Sequence, residues 1–231
     1  MFLKPDFRLK RRFPYHLICA LLLFFAASQA AVADELAVWN FNDSDLNVDH
    51  GSGTLTSNLN VANILFAAGT TTNARQGDPA GQALSLQGGT GNANNGRNIT
   101  FAVSTAGFAN IVVSFATQGT STGFNSNQFQ YSLDGVSFVD FNPPYTPATA
   151  FGAVPLVFSL AAIVGLNNNS SAAFRIVFNG ATSSTGNNRI DNIVVEGTST
   201  ATSTIPEPAS ALLLLTGIGS LYKLRRRRKR H

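Results

Sequence analysis

"NQFQYSLDGVSF", residues 127–138, alternates on both sides of one reversal. Phe129, Tyr131 and Leu133 fall on one face of an extended chain; Gln128, Gln130 and Ser132 fall on the other. Successive side chains of a strand point to opposite faces, so this is the period-two pattern of a half-buried strand. Asp134-Gly135 then stands between two such runs. Glycine accepts the positive φ that a tight reversal needs, which makes the pair a strong hairpin cue. The same pattern recurs elsewhere. "AFRIVF" (173–178) turns Phe174, Ile176 and Phe178 inward and Arg175 outward, and "ANIVVSFAT" (109–117) aligns Ile111, Val113 and Phe115. Further strands are expected at 36–41, 83–86, 99–103, 138–141, 156–160 and 190–196. Helical periodicity is hard to find, and turns rich in Gly, Asn, Ser and Thr separate the strands. About ten short strands of this kind predict an all-β fold, a two-sheet β-sandwich or jelly roll. The eighteen phenylalanines supply large rings to fill the space between its sheets.

The charges are distributed unevenly around this domain. Five of the sixteen Lys and Arg residues lie in the first twelve positions, and seven lie at the extreme carboxyl end. Between Asp34 and Ile205 only Arg75, Arg97, Arg175 and Arg189 remain, against ten acids, for a net of −6. A nucleic-acid binder needs its cations on the folded surface, so that class is excluded. Residues 1–33 read as a secretory signal peptide: a basic stretch, an apolar run over 17–27, and the small-x-small site Ala31-Val32-Ala33 for signal peptidase. The general secretory route fits better than a twin-arginine route at Arg11-Arg12, because Phe13-Pro14 follows. Cys19, the only cysteine, lies inside the apolar run, so the exported domain holds no disulfide.

The far end has three parts in order. A Thr/Ser linker (198–205) precedes Pro206-Glu207-Pro208, an apolar segment over 209–224, and the cluster Arg225, Arg226, Arg227, Arg228, Lys229, Arg230. About sixteen residues make a helix of about 24 Å, short for a stable membrane span. The cations resist crossing and act as a stop-transfer signal, with the domain outside. The two prolines keep the preceding backbone extended. Residues 206–231 resemble the PEP-CTERM sorting signal. That resemblance implies an exosortase substrate: export, a pause at the bacterial inner membrane, cleavage near Pro206-Glu207-Pro208, and delivery to the cell surface or extracellular matrix. It also implies association with biofilm and exopolysaccharide. An ordinary single-pass tail anchor is the alternative. The span 34–197 resembles, more loosely, the extracellular jelly-roll domains that often precede such signals, on "WNFND", "QYSLDGVSF" and "FRIVFNGATSSTGNNRIDNIVVEG". This second resemblance implies a fold and no ligand.

Catalytic chemistry has little to draw on. Nucleophilic catalysis needs a base beside its nucleophile. The domain has one histidine, His50, read as a solvated loop residue, and no G-x-S-x-G context. Glycosidases place two carboxylates across a bond; the only glutamates, Glu35 and Glu196, sit at expected strand or domain ends. The domain is read as non-enzymatic, with no cofactor required. Calcium is a further candidate, since it takes six to eight oxygen ligands. "NFNDSDLNVD" offers Asn40, Asp43 and neighbouring Asx residues, and the last strand offers Asp191. The alternative is that these residues cap turns, and that Asp191 pairs with Arg189 or backbone amides. For carbohydrate, Tyr145 in "NPPYTP" is the expected exposed ring, with Gln128 and Gln130 as hydrogen-bonding groups, while burial is expected for Trp39. Three readings stay open, in order: a structural surface or matrix protein, a carbohydrate-binding module retaining exopolysaccharide, and a secreted glycan-active enzyme.

Overall fold

The computed structural model describes residues 33–201. The signal peptide with Ala31, the Pro206-Glu207-Pro208 motif, the apolar tail and the basic cluster lie outside the described residues. Among the described residues there are twelve strands and no α-helix, arranged as two antiparallel sheets. In the larger sheet the order is β10 (Leu156–Ser159), β7 (Phe108–Gly119), β12 (Asn187–Ser199), β1 (Ala33–Trp39) and β2 (His50–Gly51). The long β12 also pairs with β5 (Gln82–Gln87), which pairs with β4 (Ile64–Ala68). The smaller sheet runs β3 (Thr54–Ser57), β6 (Arg97–Ala102), β11 (Ala173–Asn179), β8 (Ser126–Ser132) and β9 (Phe138–Asp140).

The alternating residues meet between the sheets. Ile111, Val113 and Phe115 from β7 and Phe174, Ile176 and Phe178 from β11 are all buried, as is Trp39. Aromatic rings make the join: Phe129 of β8 stacks on Phe158 of β10 with centroids 4.0 Å apart and planes at 14°. Trp39 of β1 and Phe101 of β6 also meet across the sheets, at 6.0 Å, while within the smaller sheet Phe101 lies 5.6 Å from Phe174.

The hairpin of residues 127–138 forms, with a longer loop than a two-residue turn. Ser132 pairs with Phe138, which leaves 133–137 as the connection. Asp134 organises it: Oδ1 accepts from the Val136 N–H at 2.8 Å, the Ser137 N–H at 2.7 Å and the Ser132 hydroxyl at 2.9 Å. Those donors, the Ser137 amide foremost, hold the carboxyl well below the usual carboxylate range. Gly135 has φ 75°, as the turn requires. The alternation breaks where the loop begins. Ser132 is buried between Ala173 and Phe138 on the flanking strands, and Leu133 faces solvent.

Ala33 opens β1 opposite Thr198 of β12. β12 itself runs through Ser199, so its last two residues belong to the stretch read as linker. The Thr200 amide then donates to the Gly107 carbonyl at 2.8 Å.

Candidate ligand-binding groove

The two sheets present different outer faces. A long loop, residues 69–81, lies across the outside of the larger sheet and is tied down by polar side chains. Asp191 accepts from the Thr70 amide at 2.7 Å and from the Asn192 amide at 2.9 Å. Asn192, with φ 51°, donates to the carbonyls of Thr70 and Thr72, and Asn73 returns a bond to the Asn192 carbonyl. Arg75 reaches Glu35 at 3.1 Å and Glu196 at 2.9 Å. These two glutamates are register partners on β1 and β12, a like-charge pair that needs a cation between its members. Sequence reading missed this bridge, because its members lie far apart in the chain. Arg75→Ala leaves two mostly buried carboxylates side by side without a cation, Glu35 keeping only the Gln76 amide, so we expect a loss of about 2 kcal/mol in urea unfolding. Recovery of part of that loss in high salt would mark its electrostatic origin.

The residues singled out for calcium are occupied separately. Asn40 accepts from the Asn42 amide through Oδ1 and donates through Nδ2 to Asp78, while its own amide donates to Asp49. Asp43 accepts from the Asp45 amide, as a turn-capping residue does. Asp191 is spent on backbone amides, as the alternative reading had it. No group of three or more His, Cys, Asp or Glu side chains is placed to hold a metal among the described residues. His50 is not a solvated loop residue: it begins β2, half-buried, with Nε2 3.3 Å from Asp78 Oδ2.

The residues singled out for sugar fare unevenly. Tyr145, expected as an exposed platform, is corrected by the structure. The Asn127–Tyr145 bridge turns its ring inward onto Phe115 and Phe158, at 6.1 and 6.2 Å. Its hydroxyl is buried without a partner among the described residues, and that burial pushes the phenol pKa up. The flanking prolines suggested a surface loop, but the ring folds back to complete the core. Gln128 and Gln130 do lie on the outer face of the smaller sheet, half-buried. Gln128 donates to the carbonyls of Phe129, Phe141 and Asn142. Gln130 donates to Asp140 and accepts from Arg175 Nε, both at 2.6 Å. Arg175 also covers the Phe138 ring, 3.9 Å from its centroid. This face is polar, but its amides are already engaged.

Beside it lies a groove of about 310 Å³. Ser52, Gly53 and Thr54 come from the β2–β3 connection, Ala102, Val103 and Ser104 from the end of β6, and Ser170, Ser171 and Ala172 from the approach to β11. The register explains the convergence, since Thr54 pairs with Ala102 and Ala102 with Ala173. The hydroxyls of Ser52, Thr54, Ser170 and Ser171 make no hydrogen bond to another of the described residues, and no ionisable side chain lines the groove. Val103 and Ala172 give it an apolar floor. Trp39 lies beneath it: a Cβ on Gly53 would sit 2.9 Å from the indole Cη2 and 3.0 Å from the Ala102 carbonyl oxygen. Glycine is therefore required where the groove crosses the ring.

No family model matches the chain, and no curated protein matches it. Among solved structures it is similar to the CBM22-1 xylan-binding domain of Xyn10C from Paenibacillus barcinonensis, at TM-score 0.44 and 11% identity over 75% of this chain and 100% of that one. It is similar to TmCBM61 in complex with beta-1,4-galactotriose, at TM-score 0.41 and 11% identity over 68% and 92%. It is also similar to the K2 cleaved adhesin domain of Lys-gingipain, at TM-score 0.43 and 11% identity over 68% and 96%.

Proposed function

We propose that this is an exported, non-catalytic surface or matrix protein whose jelly-roll sandwich holds a neutral saccharide chain in the hydroxyl-lined groove. One observation carries the binding half: four hydroxyls without hydrogen-bond partners among the described residues converge over an apolar floor, with no charge among them. Hydroxyls donate and accept at once, which matches the alternating donors and acceptors of a sugar. A polyanionic glycan would call for cations here, and the span 34–205 repels it with a net charge of −6. The non-catalytic half rests on the carboxylates. Glu35 and Glu196 face each other across adjacent strands, clamped by Arg75, rather than across a cleft.

The delivery half rests on the two chain ends. A signal peptide ahead of Asp34, and Pro206-Glu207-Pro208 with an apolar segment and six terminal cations behind the domain, fit export, a transient inner-membrane stage and exosortase processing. Mass spectrometry of the protein from native cells tests this half: a carboxyl terminus at or near Pro206 supports it, and an intact Arg-rich end on surface protein contradicts it. A glycan array tests the binding half. Neutral polysaccharides should be retained, and the double variant Thr54→Val, Ser171→Ala should lose about tenfold in affinity, from two lost hydrogen bonds. Unchanged binding by the variant, or retention of polyuronates only, contradicts the assignment.

A further inference from the structure

The end of the sandwich from which the polypeptide departs carries an apolar rim. Thr200, next to the last described residue, bonds to Gly107, and the Gly107 amide donates to Asn168 Oδ1 at 2.8 Å. Asn169 ties two loops together at this end, its Nδ2 donating to the Leu133 carbonyl at 3.0 Å and to the Gly165 carbonyl at 2.9 Å. The tips of those loops expose Val136 at 81% and Val164 at 74%, with Leu133 at 44% between them. Ala161 and Ala162 beside them are exposed as well. From residue 141 to residue 174 there is no Asp, Glu, Lys, Arg or His. Asp134, the one charge on these loops, faces its own turn, and Asp34, exposed opposite Gly197, stands at the same end on β1.

We infer that this rim rests on the lipid surface to which the chain is tethered during its membrane stage. The inference rests on the reading of 209–224 as a membrane-inserted segment. Only residues 202–208 separate the described domain from that segment, a reach of about 25 Å when fully extended. So short a tether holds the departing end close to the bilayer and gives weakly apolar tips a high effective concentration of lipid. The valines are too few to bind alone. The rim carries no cation, so the contact is with the apolar boundary of a neutral bilayer rather than with anionic headgroups.

The test uses the processed chain, residues 34–231, which contains no cysteine, reconstituted into phosphatidylcholine vesicles that contain brominated acyl chains. A single environment-sensitive fluorophore is placed at Val136→Cys, at Val164→Cys or at Val61→Cys. Val61 is equally exposed but stands beside β4 and β5, at the far end of the sandwich. Bromine should quench the probes at 136 and 164 and leave the probe at 61 unchanged. Flotation of the chain with no quenching at 136 or 164 overturns the rim contact while the membrane tail stands. Quenching that appears only with anionic lipid also overturns it. Failure of the chain to float removes the tail reading, and the rim contact with it.

Discussion

Phe129→Ala is expected to lower the unfolding free energy by about 3–5 kcal/mol, the range for deleting a fully buried ring. Phe129 is 1% exposed and stacks on Phe158, which belongs to the opposite sheet. It also lies 6.3 Å from Phe141 and 6.4 Å from Phe174. Removing it opens a hole that rigid strands on either side cannot collapse into, so lost contacts add to lost transfer energy. Against a typical total of about 5–15 kcal/mol, the variant should be marginal at room temperature. Val157→Ala, next to Phe158 but 58% exposed, should move the urea midpoint by no more than about 0.5 kcal/mol equivalent. Similar losses for the two variants would mean that the rings do not join the sheets.

The second large effect is a pH dependence centred on Asp191. The residue is fully buried, and burial pushes its pKa up to about 7, although two amides oppose the shift. In the unfolded chain it titrates near its ordinary value of 3.8. Between those values the folded state holds a proton that the unfolded state has lost, so stability falls as pH rises through this window and levels off above it. A gap of about three units corresponds to roughly 4 kcal/mol at most. Burial also raises the Asp49 pKa, which adds a contribution of the same sign. Asp134 acts in the other direction but only below its unfolded value of 3.8, outside the window. Urea unfolding should therefore give a higher midpoint at pH 5 than at pH 8. Asp191→Asn, which keeps one acceptor and cannot ionise, should flatten most of that difference. A variant with the same slope as the parent would show that the charge is not there.

The strands were largely legible because their information is local. "AFRIVF" and "ANIVVSFAT" declare their faces by alternation, and β11 and β7 appear where those patterns lie. The three strands that escaped have little pattern to show. β2 is two residues long, β3 ("TLTS") holds a single apolar residue, and in β4 the run "ILFAA" presents no alternation of apolar and polar side chains. The site was harder for a different reason. Nothing local in "GTTTNARQGDPAG" announces that Arg75 will reach Glu196, or that Thr70 will cap Asp191; both pairs meet 121 positions apart. Tyr145 misled because its neighbours are prolines, while its destination was set by Asn127. The groove has no motif at all. It consists of small hydroxyl side chains from three separate segments, ordinary in sequence and notable only where they meet.

Trp39 is the chain's only tryptophan and lies directly under Gly53. Titrating its fluorescence with a neutral oligosaccharide therefore reports on the groove without a label. Occupancy should change the emission saturably, a uronate oligomer should leave it unchanged, and Thr54→Val, Ser171→Ala should weaken the response. Saturable binding by calorimetry that leaves the indole silent and survives both substitutions would place the sugar elsewhere and contradict the assignment.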